Sequence, residues 1–357
     1  DLTTLQRTAK YDHRYQFTSD HSYDFLDDDD NSVFRFIETY YELSYRKTGT
    51  SGRIGRQTLR VGGIIRRFDG LSAGYQINPQ MRINVLGGLP VGYNDKSSFN
   101  SHKTFYGVTF ETGTFLEHWN MNLFYFDAQV DGLTDSNSIG TEVRYRDRRS
   151  ALFGMVDYDL FYDELNILQL NGNMSFDHGR TAYMNAFLRK TPILSTSNAL
   201  IGQQERSIEE LKDVLNIEQI YQLAKDRTAD SQTLTLGGSQ AVSEDFTASA
   251  DITFSRVDAT VTSGGVDATP ATGTDYFFST QLVGNNIFMA RDTNIIGLRY
   301  YDTEMTSTLS LVGNARFPLG RVWRINPRLQ LDFRKLRDGR SQEKVRVLLR
   351  SDYRYRN

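Results

Sequence analysis

The sequence has no cysteine in its 357 residues, which removes disulfides, thiolate metal sites and cysteine nucleophiles together and leaves the compartment open. It also lacks any run of about 18 apolar residues, so no transmembrane helix is encoded. The mean hydropathy of −0.49 excludes a bundle of such helices. Charge of one sign is missing too: 41 basic against 44 acidic residues leave −3, and no bulk basicity points to nucleic acid. The five histidines (His13, His21, His102, His118 and His178) are scattered, with no pair at helical metal-ligand spacing. No serine elbow or glycine-rich phosphate loop appears, so neither an enzyme nor a cofactor is expected. Asp1 opens without a signal peptide, which suggests numbering from a processed or internal position.

What is abundant is aromatic and small: 20 Tyr, 22 Phe and 28 Gly, against 6 Pro. The stretch Trp119 to Gln129 shows how they are used. Trp119, Met121, Leu123 and Tyr125 share one face of an extended strand; Asn120 and Asn122 share the other, which Phe124 and Phe126 interrupt. Period two means a pleated strand with one apolar face, and its length suits a tilted membrane crossing of ~9–11 residues.

The pattern recurs along the chain. Ile139, Thr141, Val143 and Tyr145 oppose Gly140, Glu142, Arg144 and Arg146. Phe246, Ala248, Ala250, Ile252 and Phe254 oppose Thr247, Ser249, Asp251 and Thr253. Leu329, Leu331 and Phe333 oppose Arg328, Gln330, Asp332 and Arg334. About 18 such strands are expected from Tyr11 onward, a number that leaves an aqueous channel when a barrel closes. Residues before Lys10 carry no pattern. The expected fold is an all-β transmembrane antiparallel up-and-down barrel, one domain over residues 1–357, its outer face in lipid.

The connections alternate in length, as in barrels with short turns inside the envelope and long loops outside. One set is compact, including Lys47–Ser51, Asn78–Pro79, Asp147–Arg149 and Pro318–Gly320. The other is mostly long, including Ser19–Asn31, Gly87–Asn100, Asp131–Ser138, Val257–Gly273 and Lys335–Gln342, with Phe68-Asp69-Gly70 and the turn near Asp302-Thr303 short exceptions. An even strand count puts both termini on the short-turn side. Asp27–Asp30 reads as a solvated acidic loop without the spaced ligands of a calcium site. The segment 190–230 interrupts the strands. Ser207 with Glu210 and Asn216 with Gln219 form capping boxes of two short helices, broken at Asn216. They cap the mouth, constrict the lumen, or decorate the surface; Ser207, Glu210, Asn216 and Tyr221 mark the candidate gate.

Arginines recur on the inferred inner faces: Arg56, Arg60, Arg66, Arg144, Arg146, Arg299, Arg316, Arg328, Arg334, Arg346, Arg350 and Arg354. Arginine binds carboxylate and phosphate bidentately, so this set suits an anionic solute or polymer. The alternative is that they pair with Glu142, Asp157, Asp251, Asp332 and Asp352 to tie the wall together.

Across nearly its whole length the pattern resembles Gram-negative outer-membrane β-barrels. Gly55-Arg56-Gln57, Arg67-Phe68-Asp69-Gly70 and the Tyr75–Gly88 hairpin resemble the barrel portion of tetratricopeptide-linked exopolysaccharide-export proteins. No helical repeats accompany them, and Tyr353-Arg354-Tyr355-Arg356-Asn357 lacks a terminal aromatic, which suggests a piece missing its last strand. The resemblance implies an outer-membrane conduit for an anionic polysaccharide or small solutes. The rival expectation is a structural sheath or anchor for a periplasmic protein partner, such as a cytochrome or secretion complex.

Overall fold

The structure is a computed structural model that describes residues 1–22, 33–58, 67–92, 101–320 and 322–355. The described residues form nineteen strands. The first seven are β1 (Leu2–Arg7), β2 (Tyr11–Ser22), β3 (Val33–Tyr45), β4 (Thr50–Thr58), β5 (Arg67–Asn78), β6 (Met81–Pro90) and β7 (Lys103–Thr112). Next come β8 (Trp119–Val130), β9 (Leu133–Arg146), β10 (Ser150–Asp159), β11 (Glu164–Phe176) and β12 (Arg180–Thr191). Two short helices, α1 (Ile208–Lys212) and α2 (Ile217–Asp226), precede β13 (Ala229–Ala241), β14 (Phe246–Val257) and β15 (Thr274–Asn285). The chain ends with β16 (Thr293–Asp302), β17 (Thr306–Leu319), β18 (Trp323–Leu336) and β19 (Ser341–Tyr353). Every strand pairs antiparallel with its neighbours in sequence, the up-and-down order of a barrel wall.

Four expectations are corrected. Leu2–Arg7 is a strand after all, in register with Phe17 to Asp12, which raises the count from 18 to 19. An odd count puts the start of β1 on the long-connection side, and β1 and β19 run the same way. The expected loop Asp131–Ser138 is mostly strand. Asp131 and Gly132 alone make the turn, with φ of 47° and 80°, the left-handed pair that an Asp-Gly hairpin requires. Phe68-Asp69-Gly70 lies inside β5, while the connection that precedes it falls in residues 59–66, outside the described residues. The acidic run Asp27–Asp30 also lies outside them.

The wall has two chemically distinct faces, because period-two registers keep cross-strand partners on one side. The outer face carries exposed Ile54, Leu71, Val85, Leu123, Ile139, Leu309, Leu349 and many more apolar side chains. Water would leave such a surface unstable, and hydrocarbon satisfies it. Aromatic pairs sit near both strand ends on that face. Trp119 with Tyr145 (4.9 Å) and Trp323 with Tyr353 (4.8 Å) flank the short turns, and Phe254 with Tyr276 (5.5 Å) the long side. Amphipathic rings at the two interfaces are the girdles of a membrane barrel.

Candidate functional site

The inner face is polar, and it divides into two unlike regions. From β4 to β10 it is packed. Phe124 and Phe126, which break the polar alternation of β8, are 2% and 3% exposed and cluster with Phe68, Leu86, Phe105 and Met155. Glycines on the flanking strands make room for the rings. Gly107 lies opposite Phe126 and Gly140 opposite Phe124, and a Cβ on either would come within 2.2 Å of the ring. The phenyl groups therefore lie flat on the wall and seal it.

Around this cluster, polar side chains satisfy one another. Glu42 accepts from Arg53 (2.7 Å), Asn84 donates to Glu111 (2.7 Å), and Asn122 donates to Glu142 (3.3 Å), which also pairs with Arg144. Arginines and glutamates alternate here, so this half carries little net charge.

From β16 to β19 the inner face is open and basic. Arg299, Arg316, Arg324, Arg328, Arg334, Lys344, Arg346 and Arg350 stand on it, all exposed, against Asp332 and Asp352. Among the described residues two of them form ion pairs there, Arg350 with Asp352 (2.7 Å) and Arg346 with Asp332 (3.8 Å). Arg328 donates to Gln330 (3.1 Å), and Arg316 and Arg334 have no hydrogen-bond or ion-pair partner among the described residues. Between the two halves, β11 to β15 present hydroxyls and amides, such as Thr235 with Thr253 (2.8 Å) and Asn171 with Asn185 (2.8 Å).

The arginines expected on the inner face thus divide. Arg144, Arg328, Arg334, Arg346 and Arg350 are there, and Arg146 is there as the last residue of β9, at the short-turn end. Arg354 is past the end of β19, where its N–H donates to the Val322 carbonyl (2.7 Å). Arg60 and Arg66 lie outside the described residues. Arg56 is a correction: it stands on the side of Ile54 and Leu71, opposite Gln57 and Phe68, which join the inner packing. It holds Asp69 bidentately at 2.7 and 2.6 Å, both side chains nearly buried. In a lipid-facing wall, a lone charge is costly and a hydrogen-bonded pair is tolerated. Arg324 and Lys344 join this face because β18 begins at Trp323 and β19 at Ser341, ahead of the alternation that is clear in sequence only from Arg328 and Val345.

The residues expected to gate the mouth are helix caps and packing groups. Ser207 Oγ accepts from the Glu210 N–H, but the Glu210 carboxylate turns to the Arg206 N–H, so only Asn216 and Gln219 complete a reciprocal box. Tyr221 stacks edge-on against Phe161 (4.8 Å) and packs near Tyr162. Ile208, Leu211, Ile220 and Ala224 are sealed against Val130, Leu133, Tyr162 and Leu194. Polar ties fix the insertion to the outer ends of several strands. Lys212 Nζ reaches the Asp131 carbonyl (2.8 Å), Ser197 the Asp135 carboxylate (2.9 Å), and Lys225 the Tyr162 carbonyl (3.0 Å). Arg227 binds carbonyls of the β14–β15 loop, that of Val261 at 3.3 Å. Burial pushes the Tyr162 hydroxyl up, so it remains a donor to Thr196 Oγ1 at 2.6 Å. The insertion is a built part of the rim.

No protein-family model and no curated protein matches the sequence. Among solved structures, the chain is similar to an anion-selective porin from Comamonas acidovorans at 10% identity, over 98% of this chain and 99% of that one, with a TM-score of 0.37. It is similar to the OccD3 (OpdP) structure of Pseudomonas aeruginosa at 7% identity (98% and 84% covered, TM-score 0.35). The outer membrane channel DcaP of Acinetobacter baumannii aligns at 10% identity (98% and 83% covered, TM-score 0.29).

Proposed function

We propose that this chain is a passive outer-membrane channel that favours small anionic solutes, which move along the basic inner face of β16 to β19. The observation that carries this reading is the exposure of Arg316, Arg328 and Arg334 on the inner face, with no carboxylate in ion-pair distance of them among the described residues. Exposed guanidinium groups in a narrow aqueous space raise the local anion concentration and bind carboxylate or phosphate transiently. A water-exposed charge contributes little to folding, so a row of such groups has no structural work to explain it.

The apolar outer face with aromatic residues at both ends supports the location, with membrane lipid as its partner. An anionic polysaccharide is the extended version of the same solute class. In the stretches that prompt it, Arg56 and Asp69 pair on the outer side while Gln57 and Phe68 are buried in the inner wall, so none of the four offers it a contact. A sheath around a periplasmic protein is the rival, and it calls for a lumen of mixed charge rather than a basic wall. Conductance of the purified chain in planar bilayers tests the proposal. Discrete, ohmic channels are expected, and a protein that inserts without conducting overturns it.

A further inference from the structure

We propose that Ser138, Asp157 and Asn166 form a binding site for a hard cation of the calcium class, in the inner wall beneath the helical insertion. All three side chains are essentially buried: Asp157 and Asn166 at 0% and Ser138 at 1% exposure. Yet both Asp157 carboxylate oxygens, Asn166 Oδ1 and Nδ2, and Ser138 Oγ have no hydrogen-bond partner. Buried polar atoms are nearly always paired, so several orphans in one place call for an occupant. A buried carboxylate without a cation or a proton is the most costly of them.

The strands bring these groups together by construction. Asp157 is opposite Gly140 and Ser138 is opposite Asp159, so Ser138 and Asp157 are diagonal neighbours on the inner face. The β10–β11 register slips between Asp157 and Tyr158, leaving Asn166 as the extra residue of a bulge. A bulge re-aims one side chain, and here it turns an amide toward the carboxylate. Ser138 and Asn166 both lie close enough to act on the Asp157 carboxyl as hydrogen-bond donors, although neither makes a well-aligned bond to it.

The charge balance is negative. Asp159, close to Asp157, is already held by the N–H groups of Asn137 (3.2 Å), Phe161 and Tyr162 (both 2.9 Å), so it adds charge without being a free ligand. The nearby bases are engaged elsewhere. Lys103 binds Ser197 and Asp135, Lys225 binds Glu164, and Lys190 binds Glu164 and Asp230. Four side-chain oxygens around a net negative charge, with no sulfur or imidazole, select a hard oxygen-seeking ion. Phe124, seated on Gly140, helps keep bulk water from the pocket.

Thermal unfolding of the refolded full chain in calcium chloride and in chelator tests the site independently of any conductance. The wild-type transition should rise with calcium, Asp157→Asn should remove the dependence, and Ser138→Ala or Asn166→Ala should weaken apparent calcium affinity by about 10–100-fold. If Asp157→Asn fails to fold, the Ser138 and Asn166 variants carry the test through their calcium titrations alone. A wild-type transition identical in calcium and chelator overturns the proposal. So does a calcium effect that survives in the variants, which places the ion elsewhere. Asp157→Asn raising stability equally in both media also overturns it, because the carboxyl then held only a proton.

Discussion

The two sides of the inner wall obey one strand geometry and opposite chemistries. Between β4 and β10, inward positions go to phenylalanine, leucine and paired polar groups, and they are buried. Between β16 and β19 most of the charged inward positions go to arginine and lysine, and these are exposed, although Ser310 and Val312 between them are buried. The packed half also meets the insertion through Val130, Leu133 and Tyr162, so it behaves as scaffold. The open half makes few internal contacts and is left free to meet a solute. A barrel wall can therefore be stiff on one side and functional on the other without any change in topology.

The largest expected difference comes from truncating the inner face on each side. Phe124→Ala removes a fully packed ring and should cost ~3–5 kcal/mol, whereas Leu348→Ala, also inward but 57% exposed, should stay within about 0.5 kcal/mol. Equal losses in a urea titration of the lipid-refolded protein would erase the contrast between halves.

The next effect sharpens inside against outside. Leu309→Arg puts charge on the lipid face and should cost ~2–4 kcal/mol near the midplane. Ser279→Arg, on the inner face of β15, should be close to neutral by the same titration. Asn122→Arg is not a neutral control, since Asn122 is buried against Glu142.

A smaller loss is expected where the rim is capped. Asn216→Ala removes the box of α2 and should cost about 0.5–2 kcal/mol, read as faster amide exchange within Ile217–Asp226 and none in the strands.

The smallest effect concerns acid. Burial raises the Asp292 carboxyl, but the N–H groups of Phe288, Ile287 and Met289 outweigh it and hold the group below its ordinary range. A carboxyl depressed in the folded state stabilises above its unfolded pKa of about 3.9, and that contribution is lost as pH falls through the lower folded value. The β15–β16 turn should therefore open only in strong acid, and in Asp292→Asn it should be open at neutral pH too, as read by proteolysis of the turn.

Much of the wall is legible from alternation alone, because burial on one face writes a period of two into the residues. Trp119 to Tyr125 and Leu329 to Arg334 show it directly, and the outer and inner assignments there agree with the registers. Capping chemistry places the helix break at Asn216 with the same directness. What sequence hid was whether an inward position is open or packed. Phe124 and Phe126 read as interruptions because their seats, Gly140 and Gly107, lie on other strands. Arg56 kept the right parity for a strand but the wrong side, since its partner Asp69 was read as part of a turn. Asp157 read as an ion-pair partner in the wall, and the packing around it brings no arginine near.

The most direct test is the reversal potential of single channels in a potassium chloride gradient, for wild type and for Arg316→Gln/Arg328→Gln/Arg334→Gln. The wild type should prefer anions, and the triple variant should move toward no preference while keeping its heat-resistant migration on gels. A variant with unchanged selectivity, or a wild type that prefers cations, would contradict the account.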